Sequence, residues 1–219
     1  MIPRPIRAIA VCLLSVSALQ CGKRSRLVFI DGGAHLGESY TAFRKTNLYS
    51  RHSWDIVAIE ANPKLIPRLP KAPRLRILNK AIWTADGKLD FHMESETSGA
   101  NTLYRSRYPE GFGLTTIAVE SFDFSQWVGQ EFSTDDYVIL SLDVEGAEFP
   151  VLTKMLQDGT LNRIDRLYVE FHPWLHPPER QAVKKSRELL REAEKLGIIV
   201  GVDSAEAIMR RGDWIDFLL

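Results

Sequence analysis

The feature that most constrains the fold of this chain is an apolar run from Leu27 to Ile30 that ends in an acid and a glycine-rich loop. Such a run predicts a buried strand that ends in a tight turn. Gly33 and Gly37 carry no Cβ, so the loop backbone can approach a ligand and the helix predicted from Glu38 can pack closely. The stretch therefore predicts an α/β fold with a small-molecule site at this strand end.

Asp31, at the end of this strand, bears on the kind of ligand. A carboxylate there would repel the pyrophosphate of a dinucleotide such as NAD, and it suits a cation or an ammonium group, as in S-adenosylmethionine (SAM). The alternative interpretation is a tight strand-to-helix turn in which Asp31 only caps the helix. The strand end alone leaves both interpretations open.

The composition narrows the possible partners. The 219 residues suit one α/β domain with a leader, and Lys+Arg equal Asp+Glu at 28 each. The net charge of zero gives no electrostatic argument for binding nucleic acid, so no nucleic-acid partner is predicted. Cys12 and Cys21 are the two cysteines. The remainder of the chain is therefore compatible with a reducing compartment, and a cytoplasmic protein is expected.

Residues 1–26 form a predicted leader ahead of one domain that covers residues 27–219. Arg4 and Arg7 precede an apolar run from Ala8 to Leu19, as in a signal sequence, and this run is too short to span a bilayer as a helix. An N-terminal helix that packs on the domain is the alternative. Membrane association or export through the leader thus remains open beside the cytoplasmic expectation.

Predicted strands alternate with predicted helices along the domain. Further strands are expected at Trp54–Glu60, Leu75–Asn79, Leu89–Met93, Thr115–Val119, Tyr137–Asp143, Ile164–Phe171, Ile198–Val202 and Trp214–Leu218. Helices are expected after Pro63 and at Phe122–Val128, Phe149–Gln157, Glu179–Leu196 and Ala205–Met209. A hairpin turn at Ala85–Lys88 should return the next strand antiparallel to residues 81–83, and the polar loop Ser95–Gly113 should cap a site. This order predicts a mostly parallel sheet covered on both faces, with an antiparallel last strand.

Acidic residues end four of the predicted strands. They are Asp31, Glu60, Asp143 and Glu170, and His172 follows the last of them. Ligands of open α/β sheets bind beyond the carboxyl ends of the strands, and an acid at the position of Glu60 accepts hydrogen bonds from ribose hydroxyls in nucleoside-binding folds. Four carboxylates in one crevice repel each other unless a cation, a ribose or a proton is shared among them. The pattern therefore predicts a polar ligand pocket.

Four sequence blocks resemble those of the FkbM-type SAM-dependent methyltransferases. They are residues 29–37 (FIDGGAHLG), 59–63 (IEANP), 142–148 (LDVEGAE) and 169–172 (VEFH). The third block carries the family's D-x-E-G-x-E signature. The resemblance implies a class I methyltransferase fold, which is a Rossmann-like three-layer sandwich. It also implies SAM as the cofactor and a hydroxyl of a small molecule or a sugar as the methyl acceptor.

The resemblance also implies roles for individual residues. The cofactor-binding residues would be Asp31, Gly33, Ala34, His35 and Gly37 on the methionine side, Glu60 and Asn62 at the ribose, Asn79 and Ala81 near the adenine, and Asp143. His35 and Ser141-Leu142 depart from the family, which more often has Asn and Lys-Ile at these places.

Methyl transfer to an alcohol needs a group that removes the hydroxyl proton. His172 and Asp143 are the candidate bases, and Glu170 and Glu145 are expected beside them. A divalent ion held by Asp143, Glu170 and His172 is an alternative, but no ligand spacing demands it and no metal site is predicted. Glu148 is expected to be structural. The lid on the acceptor side could include Tyr104, Tyr108, Trp174 and His176.

Two further functions compete with methyl transfer. An NAD-dependent oxidoreductase could use a similar sheet, although Asp31 and the absence of the G-x-G-x-x-G spacing disfavour it. A non-catalytic SAM-binding protein would keep the pocket without turnover. The sequence of the two predicted loops over the site, Ser95–Gly113 and Pro173–Pro178, carries no pattern that identifies the acceptor, and nothing in the sequence indicates an oligomeric state.

Overall fold

The computed structural model describes residues 25–202, which fold into a Rossmann-like α/β structure with two sheets. The strands are β1 (Leu27–Gly32), β2 (Trp54–Ile59), β3 (Leu75–Leu78), β4 (Ala81–Trp83), β5 (Gly87–Met93), β6 (Thr115–Asp123), β7 (Tyr137–Leu142), β8 (Arg166–Val169) and β9 (Ile199–Val202). The α-helices are α1 (Glu38–Phe43), α2 (Asn47–Arg51), α3 (Phe124–Glu131), α4 (Glu148–Gln157) and α5 (Glu179–Lys195). No helix in this part of the chain is long and apolar enough to cross a bilayer.

The main sheet has six parallel strands in the order β3-β2-β1-β7-β8-β9. The chain builds β1 to β3 outward on one side and then continues with β7 to β9 on the other. The order therefore switches between β1 and β7, where an open α/β sheet forms its ligand crevice. The predicted parallel sheet is confirmed. Residues 1–24, the predicted helix Ala205–Met209 and the predicted antiparallel last strand Trp214–Leu218 lie outside the described residues.

Alternate residues of β1 face opposite layers of the core, as the pleat of a strand requires. Phe29 packs with α1 on one face, where its ring stacks on Phe43 with centroids 4.3 Å apart. Val28 and Ile30 face the other layer, in a cluster that includes apolar residues of α3, α4 and α5. Both faces of β1 are buried, which explains its continuous apolar sequence. The result is the predicted three-layer sandwich.

A small second sheet has the order β4-β6-β5 and corrects one prediction. The turn at residues 84–86 does not pair β5 with β4. β6 lies between them, parallel to β4 and antiparallel to β5. The physical reason is that β6 is nine residues long and offers both of its edges, and the Ser121 hydroxyl on β6 also donates to the Ala85 carbonyl in the turn.

Two predicted helices also differ from the structure. The segment after Pro63 forms a turn and the short 3₁₀ helix Ile66–Arg68. The helix expected from Phe122 begins at Phe124, because the preceding residues continue β6 and the Asp123 carboxylate caps the Gln126 N–H at 3.0 Å.

Candidate functional site

The carboxyl ends of β1, β2 and β7 meet at a cavity of about 270 Å³, which we call the central cavity. The predicted site residues that line it are Gly33, Ala34, His35, Glu60, Asn62, Ala81, Asp143 and Glu145. The predicted site residues that do not line it are Asp31, Gly37, Asn79, Glu170 and His172. The structure thus brings most of the predicted set together, from the carboxyl ends of three strands and the first residue of β4.

The glycine-rich loop passes very close to the end of β7. Gly33 has φ +84°, and a Cβ on it would lie 1.7 Å from the Asp143 carbonyl oxygen. The N–H groups of Gly33 and Ala34 both donate to the Ile59 carbonyl at 3.0 Å, which ties the loop to the end of β2. Only glycine satisfies both the backbone angle and the close approach at position 33.

Asp31 lies beneath this loop and outside the central cavity. Its side chain is 2% exposed, and its carboxylate accepts the Tyr40 N–H at 3.0 Å. The Tyr40 hydroxyl in turn donates to the Pro70 carbonyl at 2.7 Å. This geometry matches the alternative interpretation of the sequence, in which Asp31 holds the turn between β1 and α1.

The Glu60 side chain lines the central cavity. One oxygen accepts the His35 N–H at 2.8 Å and the other accepts the Asn62 N–H at 2.7 Å. Burial raises the pKa of Glu60, and these two hydrogen bonds counteract part of the rise. The carboxylate is therefore fixed in position before any ligand binds.

His35 joins the glycine-rich loop to the loop that follows β5. Its Nδ1 lies 3.1 Å from Glu38 Oε1 and its Nε2 lies 3.0 Å from the Thr97 carbonyl oxygen. Both neighbours are acceptors, so both ring nitrogens donate only in the imidazolium form. The hydrogen bond to Glu38 outweighs desolvation and raises the pKa of His35 to about 9. The residue also has φ +47°, a backbone conformation that Asn adopts more readily.

The loop after β5 covers one side of the central cavity, as its polar sequence predicts. Ser98, Gly99, Asn101 and Leu103 line the cavity. The Asn101 amide holds the loop closed on itself, since it donates to the Ser95 carbonyl at 2.9 Å and accepts the Glu94 N–H at 3.0 Å.

Part of the remaining wall of the central cavity is apolar, and Glu38, Ser39 and Lys80 also line the cavity. The apolar part includes Leu65, Ile82 and Phe91, which could not be singled out from the sequence because each also fits the pattern of a core position. Asn79 lies behind the wall, where its amide donates to the Glu60 carbonyl at 2.8 Å. A nucleoside would find an apolar surface for its base and the Glu60 carboxylate for its ribose, so these residues fit SAM.

A second group of charged side chains adjoins the cavity at the ends of β7 and β8. This acidic cluster consists of Asp143, Glu145, Glu148, Glu170 and His172. The His172 Nε2 atom lies 3.7 Å from Asp143, 3.6 Å from Glu145 and 4.0 Å from Glu170. Because Asp143 and Glu145 also line the central cavity, the acidic cluster is accessible from it.

Glu148 has a larger role than the sequence suggested. It begins α4, is fully buried and accepts the His172 Nδ1–H at 3.0 Å. Its carboxylate also accepts the Val144 N–H at 2.9 Å and the Gly146 N–H at 3.1 Å. Glu148 therefore fixes the orientation of the His172 ring.

The electrostatics of the acidic cluster reflect crowded carboxylates. Burial, followed by the charge of Glu170, raises the pKa of Asp143 to about 8. For His172, desolvation is outweighed by the hydrogen bond and the charge of Glu148, which raise its pKa to about 9. Arg107 forms an ion pair with Glu145. Arg107 lies in a long loop without a motif, so its role could not be predicted from the sequence.

Three of the four aromatic residues expected in a lid divide into two groups. The His176 Nε2–H donates to the Gly146 carbonyl at 2.7 Å, and the ring of Tyr104 contacts His176 with centroids 4.7 Å apart. These residues pack the loops. Trp174 is 53% exposed and lies edge-to-face with His172, with ring centroids 5.0 Å apart. Trp174 therefore offers a free aromatic face beside the acidic cluster.

Comparison with known families agrees with this arrangement. A family model described as the methyltransferase FkbM domain matches residues 31–196, which include the glycine-rich loop, Glu60 and the entire acidic cluster. No curated protein and no solved structure matches the chain. Since the matched segment covers most of the chain, this protein is a member of the FkbM methyltransferase family.

Proposed function

We propose that this methyltransferase uses SAM and transfers its methyl group to a hydroxyl oxygen of a small molecule or a carbohydrate. The observation that carries the proposal is the continuity of two sites: a cavity with a fixed carboxylate at the ribose position, and the acidic cluster next to it. The family assignment favours methyl transfer over the oxidoreductase alternative.

The residues of the central cavity suit the parts of SAM. Glu60 would accept hydrogen bonds from the ribose hydroxyls, while Ile82 and Phe91 would contact the adenine. Gly33 would bring the loop backbone against the methionine part, and the Glu38 and Asp143 carboxylates would attract its ammonium group. SAM supplies a methyl group on a sulfonium, whose S–C bond breaks as the acceptor O–C bond forms, with the electron pair returning to sulfur.

The acidic cluster would form the acceptor side. In-line displacement requires the acceptor oxygen about 3 Å from the methyl carbon, so the protein must hold it there and receive its proton. Asp143 lines the central cavity and lies beside His172, which places a proton acceptor at the boundary of the two sites. Trp174 would stack on a sugar ring or a flat apolar group of the acceptor.

Binding is tested by titration calorimetry with S-adenosylhomocysteine (SAH). Glu60→Gln replaces one oxygen with an NH₂ group that faces the backbone N–H of His35 or Asn62, so we expect at least a tenfold loss of SAH affinity. Glu96→Gln is the matched control, because Glu96 is an exposed acid of the neighbouring loop. Equal SAH affinity in the two variants, or no binding in the native protein, would reject the proposed cofactor site.

Transfer is tested with SAM that carries a trideuterated methyl group and a panel of hydroxylated and amine acceptors. Label on oxygen, located by mass spectrometry and NMR, would support the proposal. Label on nitrogen would reject O-methylation. SAH binding without transfer to any acceptor would favour the non-catalytic alternative.

A further inference from the structure

We propose that the acidic cluster is a divalent-cation site, in which the His172 Nε2 atom and the carboxylates of Asp143 and Glu170 are the ligands. The existence of this site does not depend on the proposed function. Only its role rests on that function: the ion would lower the pKa of the acceptor hydroxyl at the edge of the central cavity. With Asp143 bound to the ion, the proton would leave to solvent and not to Asp143.

The distances fit a shared ion better than direct contact. Asp143 lies 3.7 Å and Glu170 lies 4.0 Å from His172 Nε2, and both distances exceed a hydrogen bond. Two ligands at about 2.1 Å from one ion are separated by about 3 Å when adjacent and about 4 Å when opposite.

The buried imidazole provides a second and independent indication. The His172 side chain is 3% exposed, and its Nδ1–H is already bonded to Glu148. Among residues 25–202, no acceptor lies within hydrogen-bond distance of Nε2, and the carboxylate oxygens around it belong to Glu145 at 3.6 Å, Asp143 at 3.7 Å and Glu170 at 4.0 Å. Metal-binding histidines are held in this way, with the second ring nitrogen donating to a carboxylate behind them.

The charges of the acidic cluster are also not balanced within the described chain. Four carboxylates belong to it, and the cations in contact are Arg107 on Glu145 and, if protonated, His172. Four acidic groups thus share one permanent cation, Arg107, at a place where the Asp143 and Glu170 side chains are 35% and 41% exposed. A divalent cation between the carboxylates would relieve their mutual repulsion.

The donor set indicates the kind of ion. Mg²⁺ prefers oxygen ligands and retains its waters, whereas one imidazole nitrogen with two carboxylates also suits Mn²⁺. Glu145 is already paired with Arg107, so it would lie beside the ion and not bind it. The remaining positions would be open to water or to an acceptor hydroxyl from the central cavity.

The test is a Mn²⁺ titration of the full, EDTA-treated chain, followed by the loss of the EPR signal of free Mn²⁺. We expect one equivalent to bind. Since even residues behind the ligands affect metal affinity about 10–100-fold, His172→Ala and Glu170→Gln should each weaken binding at least tenfold. His52→Ala is the matched control, because His52 is an exposed histidine far in sequence from the residues of the acidic cluster. This variant should bind Mn²⁺ with the affinity of the native protein.

Glu170→Gln keeps the test informative if His172→Ala fails to fold, because the Glu170 side chain is 41% exposed and makes no hydrogen bond within residues 25–202. Unchanged Mn²⁺ affinity in folded Glu170→Gln, or no stoichiometric binding by the native chain, would overturn the proposal. SAH binding without Mn²⁺ binding would reject the cation site and leave the proposed function intact. Mn²⁺ binding without SAH binding would support the cation site and reject the proposed cofactor site.

Discussion

The carboxylates at the two halves of the sheet edge are held differently. At the ends of β1 and β2, Asp31 and Glu60 accept hydrogen bonds from backbone N–H groups. At the ends of β7 and β8, Asp143 and Glu170 accept none from residues 25–202, and each only approaches His172 Nε2, at 3.7 and 4.0 Å. The first half is completed by the chain itself, whereas the second half retains unused acceptors.

This difference indicates that the carboxylates at β1 and β2 are preorganised, whereas those at β7 and β8 have acceptor atoms that a ligand could use. Backbone N–H groups stabilise a carboxylate at a fixed place, which is what a ribose-binding acid requires. Carboxylates without such donors repel each other and gain most from an added cation or proton. We therefore expect substitutions on the two halves to act in opposite directions.

The largest effect on stability is expected for Gly33→Ala, because Gly33 lies where the loop after β1 contacts the end of β7. The new Cβ would meet the Asp143 carbonyl oxygen at 1.7 Å and the backbone would keep φ +84°, so we expect a loss of more than about 3 kcal/mol in the free energy of unfolding. Gly111→Ala is the matched control, because its φ is +79° with no atom within 4 Å of the new Cβ, and it should cost about 1–2 kcal/mol. Urea unfolding measures both, and similar losses would show that the close approach has no importance.

The comparison itself is tested by Glu60→Gln and Asp143→Asn in EDTA-treated protein. Glu60→Gln sets an NH₂ group against a backbone donor, so we expect the free energy of unfolding to fall by about 1–3 kcal/mol. The pKa of about 8 means that Asp143 is largely protonated in the fold at neutral pH but ionised in the unfolded chain. Asp143→Asn removes this cost of proton uptake on folding, so we expect no loss or a gain of about 1 kcal/mol at neutral pH. Chemical denaturation of both variants measures the two changes. Losses of equal size would show that the carboxylates of the two halves do not differ in how the chain stabilises them.

Asp136 serves as a reference carboxylate whose cation lies within the chain. Desolvation of Asp136 is outweighed by its hydrogen bonds with Arg26 and the Ser133 N–H, which lower its pKa to about 2. A lowered folded-state pKa stabilises the protein above the unfolded pKa, near 4, and this contribution is lost as the pH falls through 2. Asp136→Asn should cost about 1–2 kcal/mol at pH 7 and much less near pH 2. Denaturation at several pH values measures this, and a loss independent of pH would contradict it.

The smallest effect is expected for His35→Asn. The folded pKa of about 9 lies above the unfolded value of 6.5, so the His35 contribution is complete below pH 6.5 and is lost as the pH rises through 9. Since the ring is partly exposed, we expect a loss of at most about 1 kcal/mol at pH 6, and Asn suits φ +47°. The difference in melting temperature between His35→Asn and the native protein should vanish at pH 10. A difference that stays constant with pH would show that the protonated His35 ring does not stabilise the fold.

The main sheet and its long helices could be predicted because their signals are local. The apolar runs at β1 and β7 mark strands that are buried on both faces. The apolar stripe of α5 marks a helix, which ends at Lys195, one residue before the predicted end at Leu196. The pairing of β5 could not be predicted, because its partner β6 lies more than twenty residues further along the chain. Pairing at such a distance depends on how the intervening loop folds, which local sequence does not encode.

The sequence by itself determined that acids gather at one edge, since the carboxyl ends of parallel strands necessarily meet there. Only the tertiary structure decided their roles: Asp31 holds a turn, Glu60 faces the central cavity, and Glu148 orients a histidine 24 residues away. The physical reason is that a carboxylate's role depends on which N–H groups reach it. That depends on loop backbone angles and on partners distant in sequence, and packing of the whole domain sets both.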